Sequence, residues 1–498
     1  MTSASDLTAY KMFINGEWAD AASHRTFDSL NPYTGRVWAT IPDGQDEDVD
    51  RAVKAARAAM DNPGWRGMGP AARGRLLKTF GDLLRDNAEH LARIETTDNG
   101  KLIREMLGQA KALPDYYYYY AGLADKILGE TIPMDKTSIF NYTMREPLGV
   151  VGIITPWNSP LLILTFSLAA VLAAGNTVVV KPSEHASAST LEFAKVVQEA
   201  GFPPGVFNVV TGFGKTAGTA LVSHPAVRKV VFTGGTEVGR VVGQQAAGNI
   251  TPVLLELGGK SPNIVFGDAV IPNAVNGCIA GIFAAGGQTC LAGSRLFLHE
   301  SIYDEFLERL VERVKTIKLG DPSKMESEMG PLATMDQLHK VQRFVEGAIN
   351  DGATLLYGGR RPEDPALGQG WFFMPTIFDG VANDTHLAQE EVFGPVLAVL
   401  KFREEEEVVA LANRTRYGLA AGVWTNDVRR AHRVARNLEA GTVWINTYRA
   451  LSYASPFGGY KQSGYGREMG LDALREFTQV KSVWVELADT VPDPFMIR

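Results

Sequence analysis

Cysteine is scarce: there are two in 498 residues, Cys278 and Cys290. That excludes a disulfide framework and suits a reducing compartment, so a cytoplasmic location is expected. Excess positive charge is missing too. The net charge is −7, and no block of five basic residues occurs. Nucleic acid and anionic membrane surfaces are therefore not expected partners. Met1–Tyr10 has neither a basic n-region nor an apolar h-region, which excludes a secretion signal there. The longest apolar run, Leu161–Ala174, is interrupted by Thr165 and Ser167. It falls short of the roughly 20 residues of a membrane span and fits a buried helix. Low-complexity linkers and internal repeats are also lacking.

The remaining composition is that of an ordinary globular chain, 45% hydrophobic and 21% charged, with a length that suggests more than one domain. Asp46–Met60 places Val49, Val53, Ala56 and Met60 at helical spacing, and Ala71–Ala92 continues in the same manner. The five tyrosines Tyr116–Tyr120 fall in a helix-like stretch. Short runs of Val, Ile and Leu follow at Gly149–Thr155, Thr177–Lys181, Val206–Thr211, Lys229–Thr233 and Val253–Leu257. Most are separated by helix-sized segments. This is the pattern of βαβ units around a parallel sheet covered on both faces. A second α/β unit is expected from Gly259, with strands at Asn263–Phe266 and Ser294–His299. A helix over Ser301–Lys318 follows, with Ser301 as its N-cap. Ser138–Met144 and Val480–Leu487 alternate like exposed strands outside both units, and such edges need partners.

Several residues invite a chemical reading. Cys290 lies among glycines, in Gly286-Gly287-Gln288-Thr289-Cys290-Leu291-Ala292-Gly293, which permits close approach of substrate to a thiol. Alone, it reads more readily as a buried structural cysteine. Cys278 lacks such a setting and reads as structural. Glu256 ends an apolar run. A carboxylate buried there gains the raised pKa of a general base, or else pairs with Lys260. Asn158 follows a strand, where its amide suits an oxyanion; alone, an Asx turn or helix cap before Pro160 is the commoner reading. Lys181 and Glu184 follow another strand and suit ribose hydroxyls, or form a solvated surface pair. A carboxylate on the 2′-hydroxyl repels a 2′-phosphate and so favours NAD over NADP. Gly212-Phe213-Gly214 with Gly218, and Phe232-Thr233-Gly234-Gly235, are strand-to-helix turns able to meet a pyrophosphate, though neither is a true GxGxxG.

Together these motifs resemble the aldehyde dehydrogenase superfamily over essentially the whole chain. ELGGKSP at 256–262 and GQTCLAGSR at 287–295 are the specific ones, with Glu256 and Cys290 34 positions apart. Pro156-Trp157-Asn158, Lys181-Pro182-Ser183-Glu184, Phe232-Thr233-Gly234, Glu391-Val392-Phe393-Gly394-Pro395 and Ser455-Pro456-Phe457-Gly458-Gly459-Tyr460-Lys461 appear in family order. The likeness is greatest to the NAD-preferring branch of roughly 500 residues that includes mitochondrial, retinal and betaine aldehyde dehydrogenases.

The resemblance implies an α/β chain. A Rossmann-like NAD-binding domain is expected over 1–125 and 148–258, a catalytic α/β domain over 259–456, and a small β arm for oligomerisation over 126–147 and 478–498. It implies Cys290 as nucleophile and Glu256 as activator of the deacylating water. The oxyanion hole falls to Asn158 and the Cys290 backbone N–H. NAD, with NADP admissible, is expected against Ile154, Thr155, Pro156, Trp157, Lys181, Glu184, Gly214, Gly218, Phe232, Gly234, Gly235, Val238, Leu257, Glu391 and Phe393. The aldehyde is expected against Leu162, Ile163, Phe166, Thr289, Leu291 and Phe457, with one or more of the five tyrosines. That lining suits medium-length aliphatic, terpenoid or aromatic aldehydes. Arg449, at the mouth, would meet a distal carboxylate or else sit solvated at the rim. No metal is expected. A homo-oligomer, dimer or tetramer, is. Relatives often carry Ser where Gly235 stands, and a lysine where Ser167 stands facing Glu468. The latter change puts a proton relay from Glu256 in doubt. Rival readings are a CoA-acylating semialdehyde dehydrogenase, which typically lacks the Glu256 base, and a silent homologue, which would not need the intact trio.

Overall fold

The five apolar runs in the middle of the chain are strands. The structure is a computed structural model describing residues 7–491 and 493–496. The readings that fell on 1–6, 492, 497 and 498 lie outside the described residues. Val150–Ile154, Thr177–Lys181, Phe207–Val209, Val227–Thr233 and Val253–Glu256 run parallel. Their spatial order is 253, 227, 150, 177, 207 by first residue. The chain leaves Val150–Ile154 toward one edge, then returns to pair Val227–Thr233 on its other side. These two neighbours form the topological switch point, where an open parallel sheet leaves a crevice at its carboxyl ends. Antiparallel strands Met12–Ile14 and Glu17–Ala19 extend one edge, and Gly464–Tyr465 covers the other.

Helix Pro160–Ala173 is buried on nearly every side, which explains its unbroken apolar character. Helix Asp46–Asp61 has a capping box between Gln45 and Asp48 and buries Val49, Ala52, Val53 and Ala56. The long run expected from Ala71 is two helices, Pro70–Asp86 and Ala88–Asn99. Helix Ile103–Leu123 holds the five tyrosines. No helix among the described residues is long and apolar enough to cross a membrane.

The chain leaves the first sheet at Glu256 and enters the second at Pro262. The second sheet has seven strands, six parallel: Pro262–Val265, Arg295–His299, Thr376–Asp379, Val396–Phe402, Ala420–Trp424 and Thr442–Ile445. The whole is a mixed α/β fold built on these two large sheets, with smaller sheets beside them. One detail departs from expectation: Ser301 lies in a short 3₁₀ turn, and the α-helix begins at Tyr303 with Ile302 at its N-cap. His299 accepts the Ser301 N–H, so the capping role falls to that side chain.

The two marginal strands are not unpaired. Ile139–Pro147 and Thr478–Glu486 pair with each other, antiparallel over nine residues, and Thr131–Ile132 adds a short third strand. The alternation marks two true strands, but a partner about 340 positions away leaves no trace in either segment. One long edge, along Thr478–Glu486, remains open.

Candidate active site

Cys290 is delivered by a sharp reversal. Helix Ile271–Ile282 gives way to the turn Ala284–Gly287, in which Ala285, Gly286 and Gly287 all have positive φ. At Gly287 the requirement is also steric, since a Cβ there would sit 2.1 Å from the Gly394 carbonyl. The loop is then tied from two sides. Asn158 Nδ2 donates to the Gln288 carbonyl at 3.0 Å, and the Tyr448 hydroxyl donates to the Leu291 carbonyl at 3.1 Å. Gly259 closes the contact with the other motif: a Cβ there would meet the Cys290 carbonyl at 2.4 Å. Residue Cys290 keeps some surface toward the cavity, but protein surrounds its sulfur. Burial pushes the thiol up to about 12, with the Glu256 and Glu391 carboxylates adding to the effect and the N–H groups of Cys290 and Leu291 opposing it. The nucleophilic form therefore needs help.

Glu256 is buried at the end of its strand, and neither carboxyl oxygen has a partner within full hydrogen-bond geometry, the Gly459 N–H being only a weak neighbour. Burial raises its pKa well above the usual carboxylate range, and Glu468 raises it further; Arg467 and the Gly459 N–H work against both. The alternative pair with Lys260 does not form, because the Lys260 ammonium is itself buried without a partner. Glu468 is pushed up to about 7 by burial, against a hydrogen bond that Ser167 Oγ donates at 2.7 Å. Ser167 thus meets Glu468 directly, through a neutral hydroxyl.

Cys290, Glu256 and Asn158 line one cavity of about 190 Å³, together with Ile163, Leu257, Glu391 and Phe393. Glu391 accepts the Gly259 N–H at 2.9 Å. Phe393, with φ of 57°, packs edge-on to Trp157 at 5.3 Å. A larger groove of about 810 Å³ lies at the switch point and shares Pro156, Trp157, Thr233, Gly234 and Gly235 with the inner cavity. Ile154, Thr155, Lys181, Glu184, Gly214, Gly218, Phe232 and Val238 line it as well. Lys181 and Glu184 pair at 3.0 Å. Gly235 is the N-cap of helix Thr236–Ala247, whose free N–H groups face the groove. A Cβ at Gly235 would meet nothing within 4 Å, so the absent serine is not forbidden by space.

The expected aldehyde contacts gather only in part. Phe166 stacks on Tyr116 at 5.6 Å and approaches Phe457 at 6.2 Å. Leu162 and Ile163 are half-buried beside them, and Thr289 and Leu291 are buried in the nucleophile loop. Of the five tyrosines, Tyr116 and Tyr119 face this cluster through Tyr453, at 5.9 and 5.2 Å. Tyr117, Tyr118 and Tyr120 turn instead to Thr165, Asp82 and the Gly470 carbonyl. Arg449 lies apart: its guanidinium donates to the Ala280 carbonyl at 3.3 Å, and it lines neither the inner cavity nor the Phe457 cavity. Sequence reasoning missed Tyr453, Gln337 and Lys340, which carry no motif of their own.

The aldehyde dehydrogenase family model matches residues 18–483. The chain belongs to the aldehyde dehydrogenase family. It is 49% identical over 492 residues, 98% of its length and 99% of the relative's, to (Z)-2-((N-methylformamido)methylene)-5-hydroxybutyrolactone dehydrogenase of Acinetobacter baylyi. A crystal structure of a putative aldehyde dehydrogenase from Burkholderia cenocepacia superposes with a TM-score of 0.95 at 46% identity, covering 98% of this chain and 99% of that one. Betaine aldehyde dehydrogenase from Staphylococcus aureus, solved in complex with NAD+, gives a TM-score of 0.96 at 39% identity, covering 98% and 97%. As an aldehyde dehydrogenase, this chain is an oxidoreductase acting on aldehyde donors with a nicotinamide cofactor. The groove at the switch point fits such a cofactor: the Lys181–Glu184 pair and the N-terminus of helix Thr236–Ala247 line it, and it shares Gly234 and Gly235 with the cavity of Cys290.

Proposed function

We propose that the enzyme oxidises an aldehyde to its carboxylic acid through a thioester on Cys290. The observation that carries this reading is the cavity in which Cys290, Glu256 and Asn158 converge at the inner end of the cofactor groove. The Cys290 thiolate attacks the carbonyl carbon, and the Asn158 amide and Cys290 N–H stabilise the resulting oxyanion. When bound, the nicotinamide supplies the hydride acceptor that makes the adduct a thioester. Glu256 then takes a proton from water, whose oxygen attacks the thioester carbonyl and releases the acid. Lys181 and Glu184 would hold the adenosine ribose, the N-terminus of helix Thr236–Ala247 the pyrophosphate, and Glu391 and Phe393 the nicotinamide end. The aromatic setting of Phe166, Phe457 and Tyr116 favours an apolar or aromatic aldehyde. Two free cysteines favour the cytoplasm. Release of acid and NADH in equal amounts, without CoA, is the test; a strict need for CoA would sink the hydrolytic reading.

We infer a domain division over 1–125 with 148–258, 259–456 and the arm over 126–147 and 478–498, supported by the eight-stranded sheet, the seven-stranded sheet and the sheet of Thr131–Ile132, Ile139–Pro147 and Thr478–Glu486. Gly464–Tyr465 returns to the first of them. NAD is the preferred cofactor, because a 2′-phosphate would face the Glu184 carboxylate. We expect kcat/KM for NAD to exceed that for NADP by about tenfold or more, a difference of roughly 1.4 kcal/mol. Equal efficiencies would contradict the role of Glu184. The arm is the surface for self-association. Its open edge exposes Val480, Trp484 and Leu487, and unpaired strand edges seek partners. Light scattering should report a dimer or tetramer; a stable species at the 54.1 kDa chain mass would rule that out.

A further inference from the structure

Cys290 and Phe393 stand on two separate loops and line one cavity. The segment Pro331–Gln337 is tied to both loops. Gln288, buried two residues before Cys290, supplies one tie. Its Oε1 accepts the Ala333 N–H at 2.9 Å, and its Nε2 donates to the Pro331 carbonyl at 3.5 Å. Gln337, in the first turn of helix Met335–Asn350, supplies the other. Its Nε2 donates to the carbonyls of Val392 at 2.9 Å and Phe393 at 2.7 Å. An amide nitrogen has two hydrogens, and both are committed to that loop. Between the ties the segment is fixed. Thr334 caps the helix by accepting the Gln337 N–H at 3.0 Å, and the Leu332 N–H donates to the Trp371 carbonyl at 2.9 Å.

Gln337 holds a conformation that is costly to hold. Phe393 has φ of 57°, the left-handed region that residues with a Cβ seldom adopt. Val392 is buried, and a buried carbonyl needs a donor. One amide answers both demands. The packing is close as well. A Cβ on Gly394 would meet Val341 Cγ2, one turn along the same helix, at 2.4 Å, and a Cβ on Gly287 would meet the Gly394 carbonyl at 2.1 Å. Helix, Phe393 loop and nucleophile loop are thus stacked without slack. The contacts close into a ring. Asn158 Nδ2 donates to the Gln288 carbonyl, and Trp157, next to Asn158, meets the Phe393 ring edge-on at 5.3 Å.

We propose that Gln288 and Gln337 are positioning residues, the two ends of one brace that sets the spacing of the Cys290 loop from the Phe393 loop for hydride transfer. The inference rests on the reading of Cys290 as nucleophile and of Phe393 as the neighbour of the nicotinamide. In that step the C–H bond of the sulfur-bound adduct breaks. Its hydrogen and electron pair pass to the nicotinamide, and the oxyanion becomes the thioester carbonyl. Donor carbon and acceptor ring are held by different loops, and small errors in such spacing are felt strongly in rate.

Gln288→Met, Gln337→Met and the double variant test the brace. In the cofactor-free protein, deuterium exchange of the peptide covering Glu391–Gly394 should quicken in Gln337→Met. It should also quicken, about threefold or more, in Gln288→Met, whose side chain does not touch that peptide. The pre-steady-state NADH burst is read with benzaldehyde, or with hexanal if the parent leaves benzaldehyde unoxidised. At saturating NAD it should slow about tenfold in each single variant, with the Kd for NAD within about twofold of the parent's. Once one end is free, freeing the other should add little, so the double variant should lie within about twofold of the slower single one. Independent effects would instead multiply to about a hundredfold. Should a methionine variant fail to fold, Gln288→Asn and Gln337→Asn, each one methylene short, enter the same cycle. Multiplying factors, or unchanged exchange at Glu391–Gly394 in Gln288→Met, overturn the proposal. A burst surviving in Cys290→Ala would overturn the reading of Cys290 and leave the exchange result standing, so the two failures are distinguishable.

Discussion

Replacing Cys290 with alanine should cut NADH production by more than about a thousandfold, the scale seen when a covalent nucleophile is removed. NAD binding should change little. The groove that holds the cofactor is lined by residues of the first sheet and its loops, and Cys290 lines only the smaller inner cavity. Fluorescence titration with NAD and a steady-state NADH assay check the two halves. Residual turnover above a few per cent of the parent rate would refute the thioester route. The second cysteine offers no substitute. Cys278 is buried, its thiol is strongly disfavoured as thiolate by that burial, and it accepts a hydrogen bond from Asn263 Nδ2 at 3.3 Å.

Glu256→Gln should divide the reaction in time. One equivalent of NADH is expected to appear in a burst, followed by turnover about 10²–10⁴ times slower than the parent's, the usual worth of a general base. Glutamine keeps the volume and loses the proton acceptor. The pH dependence follows from the direction of the shift: burial and Glu468 both hold Glu256 protonated above the usual carboxylate range, and only the ionised form accepts a proton. Deacylation in the parent should therefore climb as pH rises through that elevated pKa, and the variant should lose this climb. Burst and steady-state rates falling by equal factors would show that Glu256 does not act in deacylation.

The parallel sheet was legible because a strand buried on both faces must be apolar at every position, and Val150–Ile154 and Thr177–Lys181 are buried throughout. The cofactor groove was legible because ligands gather where such strands end, and motif residues stand at those ends. Cys290 and Glu256 each admitted a structural reading alone; the motifs in series favour the catalytic one, and the two residues line one cavity. Arg449 stayed open in the sequence, and its hydrogen bond to the Ala280 carbonyl is one that no local motif announces. What stayed hidden was what depends on distant pairing. Lys101 meets Ser159 across 58 positions and Glu105 meets Ala285 across 180, so neither carries a local periodicity or spacing. The mutual pairing of Ile139–Pro147 with Thr478–Glu486 was hidden for the same reason.

Gly464–Tyr465, the strand that closes the edge beside Val253–Glu256, also sets an order of events during synthesis. Glu256 pairs with Gly464, Leu257 donates to the Ser463 carbonyl at 2.9 Å, and Glu468 raises the proton affinity of Glu256. A ribosome-bound chain halted anywhere before residue 463 lacks that edge, however completely the five parallel strands upstream have formed. Amino-terminal units fold first as they emerge, and contacts of long sequence separation form late. The nascent enzyme therefore acquires its dinucleotide groove well before Glu256 takes its final setting, and a truncated chain ending near residue 460 should be able to hold cofactor while remaining unable to complete a catalytic cycle.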